Sequence, residues 1–186
     1  FRGRVTHTLI GRYALQGGCR FMEILLKLKS WQMFLLIVTP MVLPSMIGVV
    51  PHLVVFFITW LLWMSVLLGW IYSVGIKANS LVPDSLKKST RILKFSLGIP
   101  IAYSIVFSVL TLSSQSFPPW LVPVHLISMI CVFYGMLFAA KQMVVAMKQE
   151  PVGFFEYCGP FFLFWFSPIG VWFLQPKINK LAEAQA

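Results

Sequence analysis

Hydrophobic positions in this chain come in runs far longer than the core of a soluble domain uses. They extend over Trp31–Val50, Leu53–Ile76, Phe95–Leu112 and Trp120–Ala140. Outside one basic loop, the only readily charged groups between Trp31 and Ala140 are His52 and His125. A helix needs roughly 20 apolar residues to cross a hydrocarbon core of about 30 Å. Without water, the backbone must satisfy its own polar groups, which leaves helices or closed barrels. The runs are too long for barrel strands and do not alternate, so helices are expected. The pattern predicts an all-α membrane protein with four transmembrane helices, at about 31–50, 53–76, 95–112 and 120–140. Residues 31–186 form one domain behind a basic cytoplasmic tail, 1–30.

Punctuation refines the spans. Ser30 is a natural N-cap for the first, and Trp31 suits a membrane interface. Pro40 and Pro44 are expected to kink that helix or open it locally. Val50-Pro51-His52 reads as an uncharged turn, as does Ser113 to Pro119. Pro123 falls in the first turn of the fourth span, where a missing N–H costs nothing. That helix is expected to continue past Lys141 to Lys148. A fifth apolar stretch, 154–174, is cut by Gly159-Pro160 and Pro168-Ile169-Gly170. A full crossing would put Lys177 and Lys180 outside, so a re-entrant or interfacial broken helix is expected.

Charge fixes the orientation. Only 11% of the residues are charged, against about a quarter in soluble domains, and mean hydropathy is +0.85. The net charge of +10 follows the positive-inside rule rather than nucleic-acid binding. Arg2, Arg4, Arg12, Arg20, Lys27 and Lys29 crowd the tail. Lys77, Lys87, Lys88, Arg91 and Lys94 crowd the loop between the second and third spans. Both intervening turns lack Lys and Arg, so the tail, that loop and the C-terminus are expected in the cytoplasm. From Met22, apolar Ile24, Leu25, Leu26 and Leu28 beside Lys27 and Lys29 suit a short interfacial helix. Met22 would serve as a start, which would make residues 1–21 an extension. Cys19, Cys131 and Cys158 have no metal-binding spacing and form no disulfide framework.

Ser104, Ser108, Thr111 and Gln115 recur at intervals of 4, 3 and 4 in the third span. They share one helix face. That stripe serves either a polar path or hydrogen bonding within the bundle, the latter worth roughly 0.6 kcal/mol per contact. Ser65, Gly69 and Ser73 in the second span form a small-residue track for close helix approach, as do Ser128, Gly135 and Ala139 in the fourth. His125 shares the face of Ser128 and is expected to point into the bundle. With His52, it is a candidate relay or a pair of neutral interfacial histidines. Glu156, the one acid inside an apolar stretch, suits the first turn of a helix, with Lys141 or Lys148 within reach. No metal site is expected from two histidines alone. No zinc-protease helix, phosphate loop or nucleophile elbow is present, so neither an enzyme nor a cofactor is expected.

Lys29-Ser30-Trp31-Gln32, the run Phe133 to Lys141, and Trp165 to Asn179 (Trp-Phe-Ser-Pro-Ile-Gly-Val-Trp, then Gln-Pro-Lys-Ile-Asn) resemble a family of small uncharacterised bacterial inner-membrane proteins. The likeness covers about Lys29 to Asn179. It implies a bacterial cytoplasmic membrane and a start near Met22, and it carries no activity.

These readings converge on a non-catalytic subunit or scaffold of a larger membrane complex. Its partners would be the lipid bilayer and other integral subunits, or a second copy of the chain, with no nucleic acid. The alternative is a small oligomeric channel or transporter built on the third-span stripe. The two differ in whether that stripe faces a wet cavity or neighbouring helices.

Overall fold

The computed structural model describes residues 20–46, 53–113 and 118–183, and the expectations for His52 and Gln115 lie outside them. Among the described residues every regular element is helical. A short helix over residues 20–27 (α1) leads into α2, Ser30–Met46. Then follow α3, Leu53–Leu81, a single 3-10 turn at Asp84–Leu86, α4, Thr90–Ser113, and α5, Leu121–Lys148. The chain ends in α6, Phe154–Trp165, and α7, Ser167–Glu183.

Among the described residues, three helices are long and apolar enough to cross a membrane: Val54–Leu81, Thr90–Ser113 and Leu121–Lys148. The expected first span is shorter. Its helix, α2, runs unbroken through Pro40 and Pro44 but has 17 residues, about 26 Å at 1.5 Å per residue. The other helices overrun their apolar cores. Long Lys and Arg side chains let the ends of α3, α4 and α5 continue past the hydrophobic stretch.

α3 and α5 form the axis of the bundle. α4 closes one side of that pair, and α2 lies on the far side of α3. Close approach depends on small residues. A Cβ on Gly135 would lie 2.5 Å from a Leu97 methyl carbon, so Leu97 of α4 packs onto the bare glycine of α5 and would have to shift to admit a larger residue. Two amide side chains fix the connections at one end. Asn79 Nδ2 donates to the Lys88 carbonyl at 3.0 Å, and the Lys88 N–H donates to Asn79 Oδ1 at 2.9 Å. Gln149, which ends α5 at φ 60°, donates from Nε2 to the last carbonyl of α3, Leu81, at 3.2 Å.

α6 and α7 form a hairpin. α6 climbs antiparallel to α5: Glu156 pairs with Lys148, Lys141 lies 5.7 Å from the Tyr157 ring centroid, and Trp165 stacks on Phe133 at 4.1 Å. α7 then descends along α2, with Trp172 beside Phe34 and Asn179 donating to the Leu28 carbonyl. The sequence suggested two breaks, but the helix breaks once, at Phe166. Gly159 and Pro160 stay within α6, and Pro168 falls in the first turn of α7, where its missing N–H costs no bond. The Phe166 carbonyl accepts from Ile169 at 3.0 Å and from Gly170 at 2.8 Å.

Gln175 anchors the returning limb. Fully buried, it accepts from Trp70 Nε1 at 3.0 Å. Its Nε2 donates at 3.0 Å to the carbonyls of Leu25 and Leu28, at the end of α1 where helical partners run out. One amide thus binds α7 to α3 and to α1. Its oxygen accepts, its nitrogen donates, and neither is left unpaired in an apolar surround.

The turn at Phe166 needs Gly170. A Cβ there would lie 1.7 Å from the Leu163 carbonyl oxygen, a backbone atom that cannot step aside. Gly170→Ala is therefore expected to cost about 3 kcal/mol through overpacking. Gly159→Ala, with nothing within 4 Å, should be neutral or stabilising by up to about 1 kcal/mol. Thermal unfolding of the two variants in detergent checks this, and equal midpoints would contradict the turn geometry.

Candidate functional site

The hairpin is too short to fill the groove between α3 and α5. With 12 residues, α6 extends about 18 Å, against about 42 Å for the 28 residues of α5. Its tip ends beside Trp70 and Phe133. Above the tip the groove stays open as a cavity of about 290 Å³. α3 contributes Trp60, Trp63, Met64, Leu67 and Leu68, and α5 contributes residues from His125 to Met136. Tyr103 and Ser104 of α4 form the back wall, and Trp165 and Ser167 at the hairpin turn form the floor.

Trp60 and Trp63 lie with ring centroids 5.2 Å apart. Tyr103 faces His125 at 5.4 Å, and Phe133 stacks on Trp165. Ser104, Ser128 and Ser167 are buried and place small polar side chains among these rings. Trp63 Nε1 is one of two buried side-chain polar atoms without a partner among the described residues; the other is Gln142 Oε1. An unpaired buried N–H costs about 1–3 kcal/mol, and the Trp63 N–H is closed off by its neighbours rather than open to the cavity. Among the described residues that line the cavity there is no Lys, Arg, Asp or Glu.

The structure divides the third-span stripe. Of its described members, Ser104 alone lines the cavity. Ser108 donates to the Ser104 carbonyl at 2.7 Å, and Thr111 to the Phe107 carbonyl at 2.8 Å. Hydroxyls in apolar helices turn back on their own backbone in this way when no better acceptor faces them. His125 is exposed at the rim of the cavity rather than enclosed in the bundle as the helical spacing suggested.

The small-residue tracks separate in the same way. Ser128, Gly135 and Ala139 are all buried, and Ser128 also lines the cavity. Gly69 lies beneath Phe21 and Leu25 of α1, and Ser73 is buried. Ser65 is exposed and donates to the Leu61 carbonyl at 2.7 Å.

Glu156 is remote from the cavity, at the foot of α6. Its Oε1 accepts from the Gly153 N–H at 2.8 Å, and its Oε2 meets Lys148. These two partners, Lys148 first, hold its carboxyl below the usual carboxylate range. Its place in the first turn of α6 also suits the helix dipole. Glu156 therefore works as a cap and a tether.

The sequence pattern marks Ser104, Ser128 and His125, and the cavity gathers all three. It does not mark Tyr103, Trp63, Trp165 or Ser167, which also line the cavity. Aromatic residues are common in apolar spans, and only the depth of the hairpin tip brings these four together. Gln175, followed four residues later by Asn179 just past the apolar stretch, is a further signal, because that spacing sets an amide pair on one helix face. The two side chains are bonded at 3.1 Å.

Because the hydroxyls of Ser108 and Thr111 serve their own helix, Ser108→Ala and Thr111→Val should each change stability by less than about 1 kcal/mol. Unfolding in mixed micelles measures this. A loss of about 2 kcal/mol or more would mean that the hydroxyls bond a neighbouring helix instead.

Compared with models of known protein families, with curated proteins and with solved structures, the chain matches none.

Proposed function

We propose that this chain is a small, non-catalytic integral subunit or scaffold of a larger membrane complex, in a bacterial cytoplasmic membrane. The observation that carries this reading is the inverted distribution of side chains on α4. Its buried face holds Ser96, Pro100, Ser104 and Ser108 beside Leu93 and Leu97. Its outward face exposes Ile92, Phe95, Ile99, Ile105, Val106 and Val109. In water each such side chain would forgo about 1.5–3 kcal/mol of burial. In lipid, or against another apolar helix, large residues belong outside and small or hydroxyl residues at the helix contacts.

In this reading α3, α4 and α5 cross the bilayer, and α2 belongs to a fourth crossing. The α6–α7 hairpin enters from the cytoplasmic side and returns to it. Lys77, Lys87, Lys88, Arg91, Lys94, Lys141 and Lys148 then lie on the cytoplasmic side, as the positive-inside rule requires. The carboxylates of Asp84 and Glu156 are engaged by Lys87 and Lys148, and the cavity lining contributes neither a carboxylate nor a thiol. That favours a structural or binding role over catalysis. The channel reading has less support, because two members of its stripe are bonded to their own helix.

Purification from the source membrane in mild detergent, followed by mass spectrometry of what co-migrates, tests the proposal. The expected result is a stoichiometric integral-membrane partner. A stable, monodisperse preparation of this chain alone would overturn it.

A further inference from the structure

We propose that the foot of α4 holds an anionic phospholipid of the cytoplasmic leaflet, its phosphate at Arg91 and Lys94 and its chains along the outward face of the helix above them. The inference rests on the reading that α4 crosses the bilayer with its first turn on the cytoplasmic side.

Two kinds of surface meet on this face of α4. Arg91 and Lys94 stand one turn apart, both exposed, and exposed Lys88 lies just before the helix. Above them Phe95 is 73% exposed, and Ile99, Ile105 and Val109 are exposed along the next four turns. Gly98 lies about 10 Å above Arg91 on the same face, and a Cβ there would meet nothing within 4 Å. Cations at the foot and a bare apolar face above match a molecule with an anionic head and hydrocarbon chains. Juxtamembrane clusters of Lys and Arg attract anionic lipid in this way.

The cations are held in place and are not neutralised. Lys88 is bonded through its backbone to both ends of the Asn79 amide, at 2.9 and 3.0 Å, which ties the connection to α3. The one carboxylate between α3 and α4, Asp84, is engaged by Lys87. Among the described residues Lys88, Arg91 and Lys94 have no ion-pair partner.

The other occupants fit less well. A soluble acidic peptide would match the cations and leave Phe95 and Ile99 uncovered. A zwitterionic lipid would bring an ammonium among cations. A second copy could approach closely through Gly98 and exposed Ala102. Copies inserted in the same sense pair in parallel, however, and a two-fold axis there would set Arg91 and Lys94 against their own equivalents. α4 contains no acid to relieve that repulsion. An anionic lipid supplies the missing charge.

The test uses the full chain in mild-detergent micelles doped with phosphatidylglycerol or with phosphatidylcholine of the same chain length. Native mass spectrometry counts the lipid retained. The expected result is one phosphatidylglycerol per chain, preferred about twentyfold, or roughly fivefold for each of two cations. Arg91→Gln should reduce the preference about fivefold, and Arg91→Gln with Lys94→Gln should abolish it. Lys177→Gln with Lys180→Gln removes the same charge from α7 and should leave it unchanged. Equal retention of the two lipids would overturn the proposal. So would an equal loss from the α7 pair, the mark of diffuse attraction rather than a site. A disulfide between copies through Gly98→Cys, in a background lacking the native cysteines, would put a second copy on this face and overturn it too. A nitroxide on Phe95→Cys, read by its accessibility to oxygen and to a nickel chelate, tests the membrane reading separately. At the interface, the reading of α4 stands whichever lipid binds; in bulk water, both the reading and the proposal fall.

Discussion

A chain that turns back inside an apolar bundle must still find partners for every backbone group it exposes there, and the Gln175 amide is where this protein meets that demand. The end of α1 and the descending limb of the hairpin come together where there is little else to bond to. Gln175 donates to the carbonyls of Leu25 and Leu28 and accepts from Trp70. Removing it would strand an indole N–H and weaken the pairing of two helix-terminal carbonyls in one step. The hairpin's other limb is tied at the opposite edge by Lys148 and Glu156, a half-exposed pair of modest energetic weight. The buried amide, more than the ion pair, therefore holds the hairpin in place.

The cavity follows from the same constraint. Gly170 lets the chain reverse one turn after α6 ends, and α6 ends at the level of Phe133. A longer α6 would have filled the groove between α3 and α5 to its end. A shorter one would have left Trp70 without the ring of Phe164, which now lies 5.0 Å away. The length of one helix thus sets both how the bundle closes below and how much of the groove stays open above. Apolar and aromatic walls with a few hydroxyls are what remains when three helices meet through small residues and the fourth element stops short.

Much of this was legible in the sequence. Helical content, the three long apolar helices and the position of the basic loop follow from run length and charge alone, because the physics that imposes them acts on composition. Gly135 was readable as a packing residue because small residues in an apolar helix have few other uses. Less legible was anything decided by depth. The Ser104, Ser108 and Thr111 spacing places three hydroxyls on one face, but the choice between a neighbour and their own carbonyls depends on what lies opposite. His125 shares a face with Ser128, yet sits close enough to the helix start to be at the rim. Gly159-Pro160 resembled a break and is helix, while the break at Phe166 carries no Gly or Pro of its own. It depends on Gly170, four residues on.

The central claim is that α6 and α7 form a hairpin whose two feet lie on one side of the membrane. Single cysteines at Glu156 and Lys180, placed in a background lacking the native cysteines, can be probed with a membrane-impermeant thiol reagent on sealed vesicles of known orientation. The account predicts that both positions react from the same side, the side that also exposes a cysteine at Lys88, and that neither reacts from the other. Labelling of Glu156→Cys and Lys180→Cys from opposite sides would mean that this segment crosses the bilayer, and would contradict the hairpin.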